Sequence, residues 1–213
     1  EAADERLRAI PSGEELILVA THIDGAIAAL PRIRTRGVIT SLCSLMQPLR
    51  RAAPANFIAG HPMAGSHRSG VRHASAALFE GKPWFLERRN RRIERMIRDC
   101  GAKPRIVDAG THDAAMALVS QLPQILSTAL AAYLADKNVR DFAGPGLRDF
   151  LRLAHSNAEM WRPILAHNRK TLKPHAAAVM KIVREIVEGE VDDAFAKANR
   201  WGGTADSSHP SYR

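Results

Sequence analysis

A histidine set between an apolar run and a proline–glycine turn is the sharpest chemical feature of this sequence. Gly60-His61-Pro62-Met63-Ala64-Gly65-Ser66 follows a short strand candidate, Asn56 to Gly60. That order predicts an imidazole at the carboxyl edge of a parallel sheet, where open α/β folds bind ligands. A histidine there serves as hydrogen-bond acceptor or general base near neutral pH. The same spacing suits a turn histidine with no chemical duty, and both readings stand open. Ser44 falls just after a second β-branched run, Val38-Ile39-Thr40. Its hydroxyl suits donation to a ligand or orientation of His61, and equally suits an N-cap for the next helix. Cys43 beside it reads as a small buried residue, since nothing in the sequence partners a thiolate.

Cations come from the second half. Arg148 and Arg152 lie four apart, so they share one helix face. The guanidinium fork suits carboxylates, and a pair aimed into an interdomain cleft would hold a dicarboxylate. Two solvated arginines would show the same spacing. His167 and Arg169 are weaker candidates, and Trp161 reads as core or interface. No metal site is expected. His61, His67 and His73 are spaced by six, and His112-Asp113 is a lone pair, so neither an HExxH helix nor a Cys/His finger can be drawn.

The elements that must position these groups divide the chain in two. With 213 residues, 46% of them hydrophobic, there is enough chain for a core and two modest domains. In the first half, Leu16 to Ala20 follows a turn at Pro11–Gly13 and suits a strand buried on both faces. Ile23 to Leu30 has helical spacing, Val38 to Thr40 is a second strand, and a brief helix is placed near Pro48 to Ala53. Pro83 to Leu86 and Pro104 to Asp108 complete the strands. Between them Arg89 to Cys100 is a surface helix ending at Gly101, with Ile93, Met96 and Ile97 on one apolar face. The alternation predicts a parallel sheet with helical covers over residues 1–109.

Nothing after Asp108 alternates like a strand, so residues 110–201 read as all-helical and 202–213 as a flexible tail. Thr111 to Lys137 is rich in alanine and leucine, and Pro123 should bend it. A short helix should reach His155. Ser156-x-x-Glu159 suits a capping box for a helix to Val187, disturbed at Pro163 and Pro174. Gly189 stops it, and Val191 to Asn199 is a last helix. Alanine-rich helices of this length pack on others, so a dimer through this half is expected.

Composition narrows the function. The chain carries 31 Lys+Arg against 22 Asp+Glu, a net charge of +9. Six arginines face two glutamates between Glu87 and Arg98, yet no basic tract is interleaved with aromatics and no zinc-finger or RRM-like signature is present. An anionic small substrate is therefore expected rather than nucleic acid. No apolar run reaches membrane-spanning length, and Glu1 to Arg8 is too charged for a signal peptide. Two cysteines, Cys43 and Cys100, make no disulfide scaffold, so a reducing, cytoplasmic setting is the default.

The same residues carry a resemblance. GHPMAGSHRSGVRHASAALFEGKPWFL (Gly60 to Leu86), HDAAMALVSQLPQIL (His112 to Leu126) and GPGLRDFLRLAHSNAEMWRPILAHNR (Gly144 to Arg169) resemble, in order, motifs of the prephenate and arogenate dehydrogenase family. The resemblance runs from about Leu16 to Asn199. It implies an incomplete Rossmann-like parallel sheet followed by an all-α dimerisation domain, with the active site between them and a homodimer through the helices. It implies oxidative decarboxylation of a small anionic cyclohexadienyl acid with NAD or NADP as acceptor. It also implies roles for residues. His61 would accept a hydrogen bond from the substrate's ring hydroxyl with Ser44 in support. Arg152 would bind a carboxylate with Arg148 nearby, Ser120 and Gln121 would meet the substrate, and His22, Ser44 and Met63 would meet the cofactor.

Departures from the family pattern lie beside the expected cofactor. The chain has no GxGxxG turn. Where the family shows an acid and a Gly-Ser-Val-Lys run, this sequence reads Thr40-Ser41-Leu42-Cys43-Ser44-Leu45-Met46-Gln47. His22 replaces a proline, and the family's SHLPH appears as Ser120-Gln121-Leu122-Pro123-Gln124. Two further readings therefore stay open: a cofactor-free dehydratase or decarboxylase acting on the same class of acid, and a non-catalytic dimerising homologue.

Overall fold

Short β-branched and leucine-rich runs build the first part of the molecule. A computed structural model describes residues 16–65 and 75–203. The expected turn at Pro11–Gly13, His67 and His73, and the tail beyond Gly203 lie outside the described residues. The chain divides into two compact units, residues 1–172 and 173–213.

In the first unit β1 (Leu16–Val19) leads to helix α1 (Ile23–Ala29), β2 (Val38–Ser41), α2 (Gln47–Ala52) and β3 (Phe57–Ile58). β1, β2 and β3 form a parallel sheet in that order, with Ile17 opposite Ile39 and Ile39 opposite Phe57. Ile39, Leu45, Met46, Leu49 and Phe57 are fully buried around it. Each side chain of this size removed from water contributes about 1.5–3 kcal/mol, which is what holds so short a sheet together.

The expected strand from Asn56 to Gly60 does not run unbroken. It divides at Ala59, and the chain passes into β4 (Gly60–Pro62), which belongs to a second sheet with β5 (Pro83–Leu86) and β6 (Lys103–Ile106), separated by α3 (Arg91–Asp99). β4 pairs antiparallel with β5, placing His61 opposite Phe85, while β5 and β6 are parallel. His61 is therefore inside a mixed sheet, not at the carboxyl edge of a parallel one. The crossing depends on Gly60. Its N–H donates to Ser41 Oγ, and Ser41 Oγ donates back to its carbonyl, at 3.2 and 3.1 Å. A Cβ there would meet the Ser41 carbonyl oxygen and Thr40 Oγ1 at 2.8 Å, so only glycine lets the strands approach this closely. On α3, Ile93 and Ile97 are buried as their spacing predicts, Asn90 caps the helix, and Gly101 leaves it at φ +77°.

From Asp108 onward the described residues form helices joined by short turns, with no strand among them. Asp108 caps α4 (Ala109–Met116) by accepting from the Gly110 and Thr111 N–H groups. A π-helical turn, Ala117–Gln121, joins α4 to α5 (Leu122–Leu134). Pro123 has no N–H to give the preceding turn, and the wider turn absorbs the missing bond. Ala109–Leu134 is thus one 26-residue stretch that is long and apolar enough to cross a membrane, which corrects the expectation that no such run exists. It carries His112, Asp113, Gln121, Gln124 and Ser127 buried on one side, while Leu118, Val119 and Tyr133 are exposed.

Helix α6 (Pro145–Leu151) passes into a 3₁₀ turn, Arg152–His155, and then α7 (Ala158–His167) begins. The predicted capping box does not form. Asn157 is the cap, accepting from the Glu159 N–H, while Ser156 Oγ donates to the Leu153 carbonyl at 2.7 Å and contacts Gln124 Oε1 at 3.2 Å. Neither Pro163 nor Pro174 breaks the following helix. The break falls at Asn168, whose buried side chain is used elsewhere, and α8 (Arg169–Val187) starts afresh. Gly189, at φ +106°, ends α8, and α9 (Val191–Gly203) lies in the second unit.

Candidate functional site

The first-unit fold brings His61 against α4. His61 Nδ1 lies 2.9 Å from His112 Nε2, with the two rings edge to face at 86°. His112 Nδ1 lies 2.8 Å from Asp113 Oδ1. The Asp113 carboxylate then accepts the Met46 N–H on Oδ1 and the Gln47 N–H on Oδ2, both at 2.9 Å. A continuous hydrogen-bonded chain thus runs from the half-buried His61 through two buried side chains to the start of α2. Burial, and secondarily the neighbouring His112 charge, lower the His61 pKa from 6.5 to about 3, so the ring is neutral at physiological pH.

His61 opens on a cavity of about 150 Å³ that also shows Ser44, Met63, Met116, Ser120, Gln121 and Trp161. Four expected site residues therefore meet: His61, Ser44, Ser120 and Gln121. Ser44 makes no hydrogen bond to His61 and does not cap α2, whose first N–H groups go to Asp113. Orientation of His61 falls to His112 instead. The π-helical turn brings both Ser120 and Gln121 to the cavity.

Gln121 is held from behind by Asn168, which no motif or spacing marks. Asn168 Nδ2 donates to Gln121 Oε1 at 3.0 Å and to the Asp113 carbonyl at 2.8 Å. With its oxygen engaged, the Gln121 amide offers its NH₂ as a donor on the cavity wall. Replacing Asn168 by alanine leaves the buried Gln121 oxygen unpaired and takes one of two hydrogen bonds from the Asp113 carbonyl, which keeps the Ala117 N–H. An expected loss of about 2 kcal/mol follows, to be measured by urea unfolding.

A second cavity, of about 480 Å³, adjoins the first through shared Ser44, Met160 and Ile164. Its other walls are Ala20, Thr21, His22, Ile23, Leu42 and Cys43, which follow the carboxyl ends of the parallel strands β1 and β2. This position, with one apolar wall and the Ser44 hydroxyl, fits the flat nicotinamide end of a dinucleotide. His22 stands here, whereas Met63 lines the His61 cavity. Burial pushes the Cys43 thiol up to about 11, and its Sγ contacts the Thr21 carbonyl, so it remains a protonated, small buried residue as expected.

Arg148 and Arg152 line neither cavity. Arg148 is exposed and donates to the Ala143 carbonyl at 2.7 Å. Arg152 is exposed at the head of the 3₁₀ turn, which α5 secures through Gln124 Nε2 on the Leu153 carbonyl. His167 Nε2 reaches Asp24 Oδ1 at 2.7 Å and so ties α7 to α1. The described lining of both cavities contains no lysine or arginine.

His112, Asp113 and Asn168 are the residues that spacing rules missed. A metal-ligand template finds nothing in His112-Asp113, and no cluster of metal-binding side chains is found among the described residues. The usable signal was different: polar side chains at 112, 113, 121 and 124 within an alanine- and leucine-rich helix must find partners once buried.

Comparison with known proteins adds independent findings. Residues 2–103 match the family model for the prephenate dehydrogenase nucleotide-binding domain, and residues 108–198 match that for the prephenate dehydrogenase dimerization domain. The chain is 29% identical over 184 residues to the prephenate dehydrogenase of Lactococcus lactis, covering 78% of this chain and 52% of that protein. It is 28% identical over 192 residues to the enzyme of that name from Bacillus subtilis, with the same two coverages. The chain thus spans about half the length of the curated relatives it matches. In fold it resembles the prephenate dehydrogenase of A. aeolicus solved with hydroxyphenyl propionate and NAD+, at a TM-score of 0.72 and 22% identity, over 87% of this chain and 72% of that one.

Proposed function

The chain belongs to the prephenate dehydrogenase family, and from that premise we propose that it takes part in the oxidative decarboxylation of a cyclohexadienyl acid such as prephenate or arogenate. The convergence of His61, Ser44, Ser120 and Gln121 on one cavity carries this reading. NAD or NADP, when bound, supplies the acceptor for the hydride that leaves the hydroxyl-bearing ring carbon. His22 and Ser44 are the residues that would hold its nicotinamide end. The protein's own part is to bind and orient the acid. His61, neutral, accepts the ring hydroxyl's hydrogen bond. Gln121 and Ser120 offer neutral polar contacts. Ser44, common to both cavities, stands where acid and nicotinamide would meet. Alignment of this kind, with a base at the hydroxyl, lets aromatisation drive loss of the ring carboxylate.

Cations for the acid's carboxylates must come from outside the cavity lining. Arg152 takes this role in our reading: it is exposed, no salt bridge engages it among the described residues, and it sits in the Gly144 to Arg169 motif. Arg148, spent on a backbone carbonyl, serves nearby. Arg152→Ala is expected to weaken acid binding about tenfold or more in a calorimetric titration, the scale of a charge-assisted hydrogen bond. Unchanged affinity would remove Arg152 from the account.

In this reading residues 1–109 form the nucleotide-binding part and residues 110–201 the helical part through which a homodimer forms. The family model over 108–198 and the exposed Val187 and Phe195 support that assignment. A reducing, cytoplasmic setting goes with such chemistry. The test uses an acid deuterated at the hydroxyl-bearing carbon, with NAD+ or NADP+. Deuterium in the reduced nicotinamide, matched by carbon dioxide, is the expected result. Carbon dioxide without label would point to the cofactor-free reaction, and neither product would point to a non-catalytic homologue.

A further inference from the structure

The direction of every hydrogen bond between His61 and Asp113 follows from the inner end of the chain. Both Asp113 oxygens accept backbone N–H groups, and Oδ1 is shared with His112 Nδ1. Three nitrogens converge on this carboxylate, which as an anion only accepts, so His112 Nδ1 carries the hydrogen. In a neutral imidazole the other nitrogen is then a bare lone pair. His112 Nε2, an acceptor, faces His61 Nδ1 at 2.9 Å, so His61 Nδ1 must be the donor. The nitrogen left to the cavity, His61 Nε2, is an acceptor. With both rings neutral this order is fixed, because reversing any one bond sets two donors or two acceptors face to face.

We propose that His112 and Asp113 are positioning residues that lock His61 in its Nδ1–H form and receive the proton when His61 acts. The identity of the donor, a ring hydroxyl, rests on the function proposed above; the bond directions do not. The hydroxyl gives its hydrogen to His61 Nε2 and its oxygen keeps the bonding pair. His61 Nδ1–H passes its hydrogen to His112 Nε2. The positive charge then lies on His112, hydrogen-bonded to the Asp113 carboxylate. When the ring becomes aromatic its oxygen takes the proton back and each hydrogen returns, so none is gained or lost. The device answers a difficulty of the site: burial disfavours a charge held on His61 itself, whereas His112 has a carboxylate against it.

Nitrogen-15 spectra of the histidine-labelled chain test this without turnover. Two-bond correlations at neutral pH should show His61 and His112 both as Nδ1–H rings. Among the described residues, the groups that face His61 and His112 are each other, Asp113 and the edge-on ring of Phe85. His112→Phe keeps an aromatic ring but removes the acceptor, and should release His61 into a mixture of both tautomers. An Nε2–H form of His61 in the parent, or an unaltered His61 in the Phe variant, would each overturn the proposal. Failure of the labelled-substrate experiment alongside Nδ1–H rings would instead overturn the assigned reaction.

Discussion

His61→Asn is expected to lower turnover by about 10²–10⁴-fold while changing acid affinity by no more than about tenfold. The asymmetry follows from the shape of asparagine. Its Nδ2 falls where histidine Nδ1 was, so it still donates to His112 Nε2 and the buried chain survives. Nothing replaces Nε2. The ligand loses one neutral acceptor in binding, but the reacting hydroxyl loses its base. Equal kinetics for variant and parent would defeat the role given to His61. The same variant has a second readout. Folding lowers the pKa of His61 from 6.5 to about 3, so between these values the unfolded chain binds a proton that the folded chain does not. Parent stability therefore falls as the pH drops through that window, and below it no more is lost on this account. Without the histidine the stability curve flattens over the same range, which denaturant unfolding at successive pH values would show.

Asp113→Asn is the substitution expected to cost the most stability. The carboxylate accepts three hydrogen bonds from buried or half-buried donors, and an amide can accept on only one atom. Its NH₂ must face either the Gln47 N–H or the bonds at Met46 and His112. Breaking a buried charged network in this way costs about 3–5 kcal/mol. For a chain of this size the midpoint of thermal unfolding falls by on the order of 10 °C. Asp108→Asn is the matched control. Asp108 also accepts two backbone N–H groups, but at an exposed helix cap where asparagine serves about as well. A result in which the two variants lose equal stability would show that Asp113 is not the anchor described here.

Much of this was legible before any coordinates, because local chemistry decides it. Leu16 to Val19 and Val38 to Thr40 could hardly be anything but strands, although the first is buried only at Val19 and leaves Leu18 exposed rather than being covered on both faces, and Asn90 to Gly101 carries its own cap, apolar stripe and stop. The motif residues His61, Ser44, Ser120 and Gln121 do meet. What stayed hidden depends on approach between distant parts of the chain. That Gly60 crosses between sheets is decided by its contact with Ser41, not by its neighbours in sequence. The break at Asn168 looked like a task for proline, but a buried amide shared between Asp113 and Gln121 fixes its place. In sequence His112 and Asp113 suit no metal template and, as two adjacent polar residues, advertise no partner. The meaning of His112 comes only from the imidazole that β4 sets 2.9 Å away.

The most direct test of the central claim is a titration of the histidine-labelled chain with hydroxyphenyl propionate, followed through the ring nitrogens. Binding should move the His61 Nε2 resonance and leave the exposed His155 and the half-buried His175 unmoved. Saturable binding with His61 Nε2 unchanged would contradict the account, because the ligand's hydroxyl would then lie somewhere other than the cavity that His61, Ser44, Ser120 and Gln121 share.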